Sequence, residues 1–575
     1  MPPSNGGDLL VRTLRELGVD TVFGIVSVHN LPLVEAVDRD LRFVPVRHEA
    51  TAVSAADAYG RARGTIGCAL TSTGTGAGNA AGALVEALSA GTAVLHITGQ
   101  IDSEFLGAGR GFIHETKDQL GMLTAVSAYA ATVTSADEAG PLLREAAARA
   151  LAAPGGPASV EWPIDLQYAA QDPAAELPAA TRPAPHVPPV PPVPDDAALD
   201  RAAELLAAAR RPLVWAGGGA HRAGPELSAL LDELGAGLLT SNSGRGAVPE
   251  DDPRVIGNFA AGPTGRALLA ASDALLSVGT HFRSNETGDY SLRLPPVHVQ
   301  LDIDEAALGR VYPADAALHG DAGPTLADLT RRVAALRTGT TTAALRTGNT
   351  AEDWPARIAQ ARRDARAALH DSIGPQAAIC DALRAALPRR AVIARDVTVP
   401  SSSWGNRLLE IYDPRDNVFP RGGGIGQGLG MGIGAALAHP ERPTVVMAGD
   451  GGLAVHLGEL LTLAQERPDL TLLVFNDGGY GVLRNMQDRY FDRRSGVDLA
   501  TPDFAALAQA AGLPYQRIAH TDEAEKVIDS AVRTPGPVVV EVDLAALGPM
   551  KNPFTPPVTI PGAPAAGQDK QGKTR

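Results

Sequence analysis

The stretch MAGDGGLAVHLGELLTLAQERPDLTLLVFND, residues 447–477, contains two apolar runs that each end in an oxygen-bearing side chain. Asp450 follows the run TVVMAG and Asn476 follows TLLVF, with the helical pattern LGELLTLAQER between them. A strand, a helix and a second strand in this order predict a right-handed crossover between parallel strands. Asp450 and Asn476 should then lie at the carboxyl edge of one sheet, where open α/β sheets bind ligands.

The residue types at this edge favour a metal ion that holds a phosphate group. Aspartate and asparagine present hard oxygen donors, which Mg²⁺ and Ca²⁺ prefer, and Mg²⁺ commonly shares its ligands with substrate phosphates. Gly449, Gly451 and Gly452 would let backbone amides approach phosphate oxygens closely. The pattern alone also fits an acidic turn that needs glycine only for its conformation.

Strand and helix patterns alternate along most of the chain and predict three α/β domains, each a mainly parallel sheet flanked by helices. Strand candidates in residues 1–170 are TVFGI, CALTSTG and AVLHITG. Those in residues 197–336 are PLVWAGGGA, ALLSVGTHF and VHVQLDID. Those in residues 371–545 are AVIARD, TVVMAGDG, TLLVFND and VVVEVD. The first and third domains are expected to be alike in size and pattern.

Three segments interrupt these patterns. Residues 171–196 are dense in proline, which predicts a stiff, extended linker. Residues 337–370 are interpreted as a second linker, and residues 546–575 as a Pro- and Gly-rich tail with a disordered end. Within the tail, Met550 and Phe554 are candidates for packing against a domain.

The bulk composition excludes several classes of protein. A formal net charge of -15 argues against nonspecific binding to nucleic acid. Cys68 and Cys380 cannot form a disulfide framework or a zinc site, and two thiols fit a reducing cytoplasm. No apolar stretch of about 20 residues predicts a membrane span, and the first residues are not typical of a signal peptide.

Two motifs resemble the signature of enzymes that use thiamine diphosphate. Gly449-Asp450-Gly451, 24 further residues (452–475) and then Asn476 resemble the GDG-to-Asn part of that signature, with Asp477 in place of its second asparagine. VRHEATAVSAADAYGRARG, residues 46–64, resembles the other part, in which Glu49 is the key acid. The chain resembles the acetolactate synthase, benzoylformate decarboxylase and benzaldehyde lyase group over nearly its whole length. This implies a pyrimidine-binding, a central Rossmann-like and a diphosphate-binding domain.

The resemblance also implies roles for individual residues. Asp450, Asn476 and the Gly478 carbonyl would hold Mg²⁺ against the diphosphate. Glu49 would hydrogen-bond a ring nitrogen of the cofactor and favour the tautomer that removes the proton from thiazolium C2. Within RGGGIGQGLGMGIGAALA, residues 421–438, the Gln427 carbonyl would accept from the aminopyrimidine and Leu429 would wedge the cofactor into its bent form. The remaining cofactor-binding candidates are Gly449, Gly451, Gly452, Thr398 and Ser401.

Two histidines are catalytic candidates because imidazole suits proton transfer near neutral pH. His29 aligns with a position that is histidine in benzaldehyde lyase, and His114 falls where relatives carry Gln or His near the substrate. The alternative for each is an ordinary surface or core histidine. Ser72 stands where benzoylformate decarboxylase has a histidine, which counts against simple decarboxylation of that kind.

The middle domain raises the question of a second cofactor. Its loop WAGGGAHRAG, residues 215–224, lacks the third glycine of a GxGxxG fingerprint. Some members of the resembled family bind FAD or a CoA adenylate there, whereas others leave the domain empty. The sequence favours a middle domain without a second cofactor, and FAD bound there is the less favoured alternative.

The resemblance implies an enzyme that makes or breaks a carbon–carbon bond beside a carbonyl. Acetolactate-synthase-like decarboxylation of a 2-oxo acid, with transfer to an aldehyde or a second 2-oxo acid, is the leading hypothesis. The alternatives are a nonoxidative decarboxylase, a lyase of the benzaldehyde lyase or 2-hydroxyacyl-CoA type, and a noncatalytic cofactor-binding subunit. The resemblance further implies a homodimer or homotetramer with active sites between subunits.

Overall fold

The computed structural model describes residues 4–170, 191–339 and 353–556. These residues form three sheets of six strands, and every strand pairs with its neighbours in parallel. Helices connect the strands, as the crossover rule requires for parallel neighbours. The predicted fold class, three α/β domains with mainly parallel sheets, is confirmed.

The first sheet has the strand order β2-β1-β3-β4-β6-β5. Its strands are β1 (Thr21–Gly24), β2 (Arg42–Pro45), β3 (Gly67–Thr71), β4 (Val94–Gln100), β5 (Tyr129–Thr132) and β6 (Pro157–Pro163). Its helices are Gly6–Glu16, Leu31–Asp40, Glu49–Arg63, Thr75–Ala90, Gln119–Val126, Ala139–Leu151 and Ile164–Tyr168. The predicted strands TVFGI, CALTSTG and AVLHITG correspond to β1, β3 and β4, and all three are buried.

The middle sheet has the order β12-β11-β10-β7-β8-β9, which is the doubly wound order of Rossmann-like domains. Its strands are β7 (Pro212–Ala216), β8 (Gly237–Thr240), β9 (Val255–Gly257), β10 (Ala274–Val278), β11 (Val297–Asp302) and β12 (Ala316–His319). Its helices are Asp196–Ala208, Gly224–Leu234, Pro263–Ala271, Ser284–Thr287 and Ala322–Gly339. The three strands predicted here are β7, β10 and β11.

The third sheet repeats the order of the first, as β14-β13-β15-β16-β18-β17. Its strands are β13 (Val392–Arg395), β14 (Asn417–Val418), β15 (Thr444–Gly449), β16 (Leu470–Asn476), β17 (Tyr515–Ile518) and β18 (Val538–Asp543). Its helices are Gln376–Ala386, Gly428–Ala438, Asp450–Leu453, Glu459–Glu466, Gly481–Tyr490, Phe504–Ala510, Ala524–Arg533 and Leu544–Leu547. The expected likeness of the first and third domains therefore extends to their topology.

The predicted connectors differ in outcome. Most of the proline-rich linker 171–196 lies outside the described residues. The second linker, residues 337–370, contains most of the helix Trp354–Ser372, whose Trp354 Nε1 donates to the Pro212 carbonyl at 3.0 Å. In the tail, Met550 is buried and Phe554 packs on the same core.

The first and third domains pack against each other within one chain through two helices. The glutamate helix (Glu49–Arg63) and the glycine helix (Gly428–Ala438) share a single hydrophobic cluster. Every residue of the glycine helix is buried. A Cβ on Gly434 would lie 2.1 Å from the Ala55 carbonyl oxygen, so only glycine permits this approach.

Two expectations about the whole chain were tested. Cys68 and Cys380 are free and buried, and burial raises the pKa of each thiol to about 12. In the part of the chain that the structure describes, no helix has both the length and the apolar character needed to cross a membrane.

Candidate active site

The third domain brings Asp450 and Asn476 to one sheet edge, as predicted. β15 and β16 pair in parallel with Gly449 opposite Phe475, so the residues that follow them emerge side by side. Asp450 begins the short helix Asp450–Leu453, directly after β15. The Asp477 amide donates to Asp450 Oδ1 at 3.4 Å, which joins the two strand ends.

The carboxylates at this edge have oxygens without partners. Asp450 is 2% exposed, and its Oδ2 has no hydrogen-bond partner among the described residues; the same is true of Asp477 Oδ1. Burial raises the pKa of Asp450, and burial together with the Asp450 charge raises the pKa of Asp477 to about 6. A buried carboxylate oxygen without a partner is costly, so Asp450 Oδ2 suits a bound cation, whereas Asp477 Oδ1 already lies 3.4 Å from Arg484 Nη1.

Asn476 is oriented by a neighbouring acid. Its Nδ2 donates to Glu541 Oε1 at 2.7 Å, and its Oδ1 accepts from the Gly478 amide at 3.3 Å. The donor end of the side chain is therefore occupied by Glu541, which leaves the oxygen end as the side available to a cation. Glu541 was not identified from the sequence. It lies on the neighbouring strand β18, opposite Val474.

Short side chains and glycines surround this edge. A Cβ on Gly451 would lie 2.8 Å from the Gly479 carbonyl oxygen, and one on Gly452 would lie 3.4 Å from Asp396 Oδ2. Thr398 Oγ1 would lie 3.0 Å from a Cβ on Gly449. Ser401 is buried in the helical turn Ser401–Gly405 that follows. The contacts predicted from Thr398, Ser401 and the three glycines to the cofactor remain predictions.

Asp396, which the sequence analysis did not single out, holds the glycine loop before the glycine helix. Its carboxylate accepts from the amides of Gly426 (3.0 Å) and Gly428 (3.1 Å). Burial nevertheless raises the pKa of Asp396 to about 6. The signal was present in AVIARD, because this aspartate follows β13 just as Asp450 follows β15.

The glycine helix begins at the residues predicted to meet the cofactor. The Gln427 carbonyl accepts the Met431 amide at 2.9 Å as the first bond of the helix, so one of its lone pairs is already used. Gln427 Oε1 is buried and has no hydrogen-bond partner among the described residues. Leu429 is buried in the cluster shared by the first and third domains. Neither observation tests the predicted roles of Gln427 and Leu429.

Glu49 lies at the N-terminus of the glutamate helix, where the helix dipole favours a negative charge. Its Oε2 accepts from Asn79 Nδ2 at 3.0 Å. A Cβ on Gly76 would lie 3.0 Å from Glu49 Oε1, so the carboxylate is bracketed by the helix Thr75–Ala90. One turn further on, Ser54 Oγ would lie 2.6 Å from a Cβ on Gly430 of the glycine helix.

His29 and His114 form a pair beside the turn that precedes the helix Thr75–Ala90, because a Cβ on Gly74 would lie 2.1 Å from the His114 carbonyl oxygen. Their rings are 5.3 Å apart in an edge-on arrangement. His29 is 3% exposed with both ring nitrogens unpartnered among the described residues, and burial, then His114, lowers its pKa. His114 is exposed and has a φ of 66°. Ser72 lies beside Gly76, and its Oγ donates to Ser27 Oγ at 2.7 Å. Ser27 precedes His29 by two residues in the chain.

A buried network that sequence reasoning missed lies behind this pair. Glu161 accepts from Gln119 Nε2 at 3.1 Å and from Thr132 Oγ1 at 2.6 Å. Gln119 Oε1 in turn accepts the Gly74 amide at 2.7 Å. Burial raises the pKa of Glu161. The network fixes the turn after β3, on which Ser72 and the helix that carries Asn79 depend.

The residues present fit a diphosphate cofactor held through a divalent ion. The edge offers the unpartnered Asp450 oxygen, the Asn476 amide oxygen and a glycine loop that leaves little room for side chains. Among the described residues no group of three His, Cys, Asp or Glu side chains could enclose a metal by itself. Such a set is typical of Mg²⁺, which keeps few protein ligands and takes the rest from phosphate and water.

The middle-domain loop uses its glycines for packing. A Cβ on Gly217 would lie 2.1 Å from the Gly279 carbonyl oxygen, and one on Gly219 would lie 2.8 Å from Gly279 Cα. These close approaches account for both glycines without a nucleotide. The secondary expectation of FAD therefore gains no support from this loop.

Comparisons with known proteins identify the class. Residues 4–122 match the N-terminal TPP binding domain of thiamine pyrophosphate enzymes, residues 199–329 their central domain and residues 399–542 their C-terminal TPP binding domain. The chain belongs to the thiamine pyrophosphate enzyme family, and it is a thiamine-diphosphate-dependent enzyme that makes or breaks carbon–carbon bonds.

Three relatives show which members of this family the chain is similar to. The chain is 35% identical to a protein of Pseudomonas aeruginosa named "Probable 2-ketoarginine decarboxylase", over 93% of each chain. It is 28% identical to the acetolactate synthase isozyme 2 large subunit of Escherichia coli, over 94% of this chain and 96% of that protein. It is 27% identical to a "Probable acetolactate synthase large subunit" of Methanocaldococcus jannaschii, over 95% and 93%. The protein is thus of the acetolactate synthase and decarboxylase group.

Proposed function

We propose that the protein removes CO2 from a 2-oxo acid, with thiamine diphosphate and Mg²⁺, and releases the corresponding aldehyde. Thiamine diphosphate supplies the electron sink for this chemistry when it is bound. The observation that carries the proposal is the pair of His29 and His114 beside the turn that leads into the helix contacting Glu49. These side chains can supply a proton to the carbon that has lost CO2.

The metal ion would be held by Asp450, Asn476 and the Gly478 carbonyl at the edge of the third sheet. The unpartnered Asp450 oxygen supports this assignment. Gly449, Gly451, Gly452, Thr398 and Ser401 would line the diphosphate. Gln427 and Leu429 would contact the organic part of the cofactor, and Glu49 would hold a proton at its ring nitrogen.

The two histidines would have different tasks. His29 is buried with a lowered pKa, which keeps it neutral near pH 7 and able to accept a proton. His114 is exposed beside it and can exchange protons with solvent. An exposed imidazole against a buried one forms a short route for protons from water to the reacting carbon.

Carboligation of the acetolactate synthase kind is the second candidate. It is supported by similarity to acetolactate synthase large subunits along almost the entire chain. In that reaction a second carbonyl compound, rather than a proton, would be added at the same carbon. A benzaldehyde-lyase or 2-hydroxyacyl-CoA-lyase activity differs from both because no CO2 is released.

A homodimer or homotetramer is part of the proposal. Apolar side chains are exposed on the first domain at Val28 (58%) and Ile113 (62%), both close in sequence to the two histidines. On the third domain Val455 is 47% exposed, five residues after Asp450. Large apolar side chains around a site are typical of subunit contacts. Light scattering coupled to size-exclusion chromatography should give twice or four times the mass of one chain.

A panel of 2-oxo acids tests the reaction. The full chain would be incubated with thiamine diphosphate, Mg²⁺ and pyruvate, benzoylformate or 2-ketoarginine, and CO2, aldehyde and acetolactate would be measured by mass spectrometry. We expect CO2 and aldehyde in equal amounts from at least one acid, and none when the cofactor is omitted. Acetolactate in excess over aldehyde would favour the second candidate. Absence of CO2 from every acid by the cofactor-loaded protein would overturn the proposal.

A further inference from the structure

A buried carboxylate of the first domain holds the glycine loop, residues 421–427, that precedes the glycine helix. Glu86 lies on the helix Thr75–Ala90 and is 4% exposed. Its Oε1 accepts from the Gly424 amide at 2.6 Å, and its Oε2 accepts from the Gly422 amide. A buried carboxylate needs hydrogen-bond donors, and here each oxygen has its own backbone donor from the third domain.

The glycines of this loop leave room for the Glu86 carboxylate. A Cβ on Gly422 would lie 2.8 Å from both carboxylate oxygens, and one on Gly424 would lie 2.7 Å from Oε1. Gly423 between them has a φ of 95°, in the left-handed region that favours glycine. Amides of a turn that includes a left-handed residue form a concavity that binds anions. The three glycines are therefore shaped around this carboxylate.

A second carboxylate holds the next part of the same stretch. Asp396 of the third domain accepts from the amides of Gly426 and Gly428, at 3.0 and 3.1 Å. Four alternate amides of residues 422–428 therefore donate to carboxylates, the first two to Glu86 and the last two to Asp396. Gln427, which is proposed to contact the cofactor, lies within this series.

The end of the helix that carries Glu86 is itself fixed to the other two domains. Arg421 Nη1 donates to the Ala90 carbonyl at 3.1 Å, and Arg283 Nη2 of the middle domain donates to the Ser89 carbonyl at 2.6 Å. Cations are favourable at a helix C-terminus, where carbonyl groups lack partners within the helix. The position of the carboxylate relative to the loop is thus set by three domains.

We propose that Glu86 is a positioning residue of the cofactor site. Its carboxylate holds the glycine loop in the conformation that presents Gln427 and Leu429 to thiamine diphosphate. A stretch rich in glycine has many conformations when it is free, and ordering it during binding would weaken the affinity. Glu86 acts through the loop and has no contact with the cofactor itself. The inference deepens the proposed function, on whose cofactor contacts it rests.

The competing interpretation is that Glu86 only joins the first and third domains. Under that interpretation Glu86→Gln would lower the melting temperature, but the folded variant would bind thiamine diphosphate as the unaltered protein does. Under the proposal the affinity falls as well, because the glutamine side chain turns an N–H group toward one of the two backbone donors. Glu86→Asp keeps both acceptor oxygens on a shorter side chain, so it should bind the cofactor more tightly than Glu86→Gln.

Calorimetric titration of thiamine diphosphate into the full chain at saturating Mg²⁺ is the test. We expect Glu86→Gln to weaken cofactor binding by about 10-fold or more. Glu35→Gln is the matched control, because it makes the same change in the same domain at a side chain that is 62% exposed, and it should change affinity by less than about threefold. Hydrogen exchange at the amides of residues 422 and 424 should be faster in Glu86→Gln only.

Equal cofactor affinity of folded Glu86→Gln and the unaltered protein would overturn the inference. If Glu86→Gln does not fold, Gly424→Ala decides, because it retains the charge but places a Cβ 2.7 Å from Glu86 Oε1. Unchanged affinity in that variant would overturn the inference, and weakened affinity would support it. Tight cofactor binding that does not respond to these changes would defeat only the role of Glu86. Failure of the unaltered protein to bind the cofactor would defeat the proposed function itself.

Discussion

The first and third domains share one strand order, yet the acids at the carboxyl edge of the two sheets have different partners. In the first domain the acids have side-chain amide partners, with Asn79 on Glu49 and Gln119 on Glu161. In the third domain Asp450 keeps a buried oxygen without a partner among the described residues, whereas Asp477 Oδ1 lies 3.4 Å from Arg484 Nη1. The acids of the first domain are thus satisfied within the protein, whereas the buried Asp450 oxygen is not. One strand order thus accommodates both arrangements of acids.

The largest effect, on turnover, is expected from Glu49, the acid of the first domain. Glu49→Gln is expected to lower kcat by about 100-fold or more, because the amide cannot share a proton with the cofactor ring. Its oxygen can still accept from Asn79, so cofactor affinity should stay within about threefold. Steady-state kinetics and calorimetry with thiamine diphosphate would measure the two quantities. Near-normal turnover would remove Glu49 from the chemistry.

Asp450, the acid of the third domain, should affect cofactor binding rather than turnover. Asp450→Ala is expected to weaken Mg²⁺-dependent retention of thiamine diphosphate by about 10- to 100-fold, since the unpartnered oxygen is lost. Asp469→Ala is the matched control, because Asp469 precedes the neighbouring strand β16 and so lies at the opposite end of the sheet's strands from Asp450. Calorimetry at micromolar Mg²⁺ would compare them. Equal losses in both variants would indicate general damage to the sheet rather than a missing ligand.

Most of the fold could be predicted from the sequence because the buried strands are short, apolar and separated by helical patterns. The pairing of β15 with β16 followed from the crossover rule alone. The helix Trp354–Ser372 was missed because its neighbours in sequence are rich in Gly and Thr, while its burial depends on contacts with the distant β7 and β9. A local pattern does not contain that information.

The candidate site was predictable where a motif places a residue at a strand end, as for Asp450 and Asn476. Glu161 and Gln119 were missed because 41 residues (120–160) separate two side chains that meet only in the folded chain. Asp396 was missed for a different reason. Its strand was recognised, but the glycine loop that it holds returns from residues 426–428, which lie beyond β14.

The packing between the first and third domains is expected to have the next largest effect, which is on the stability of the folded chain. Gly434→Ala would force a Cβ to 2.1 Å from the Ala55 carbonyl oxygen and should cost about 1–3 kcal/mol in the free energy of unfolding. Gly82→Ala is the control, because Gly82 is also in a helix but a Cβ there would meet nothing within 4 Å. That variant should be neutral or slightly more stable. Denaturant titrations would compare them, and equal stabilities would contradict the close helix contact.

A smaller, pH-dependent effect is expected at Asp396. Burial raises the pKa of Asp396 from 3.8 to about 6 in the folded chain, so the folded state binds more protons than the unfolded state between these values. This contribution to stability is therefore present at low pH and lost as pH rises through about 4 to 6. Asp396→Asn should flatten the dependence of the melting temperature on pH in that window. An unchanged slope would mean that Asp396 is solvated in the folded protein.

The smallest effect should come from a surface ion pair between the same two domains. Arg42 Nη2 lies 2.9 Å from Glu466 Oε2, but the arginine side chain is 46% exposed. Water and salt screen such a pair, so Arg42→Gln should cost less than about 1 kcal/mol, and the loss should shrink at high salt. Denaturant titrations at low and high ionic strength, with Glu466→Gln as the partner variant, would measure the coupling. A loss as large as that of Gly434→Ala would mean that charge, rather than the packing of the glutamate and glycine helices, holds the two halves together.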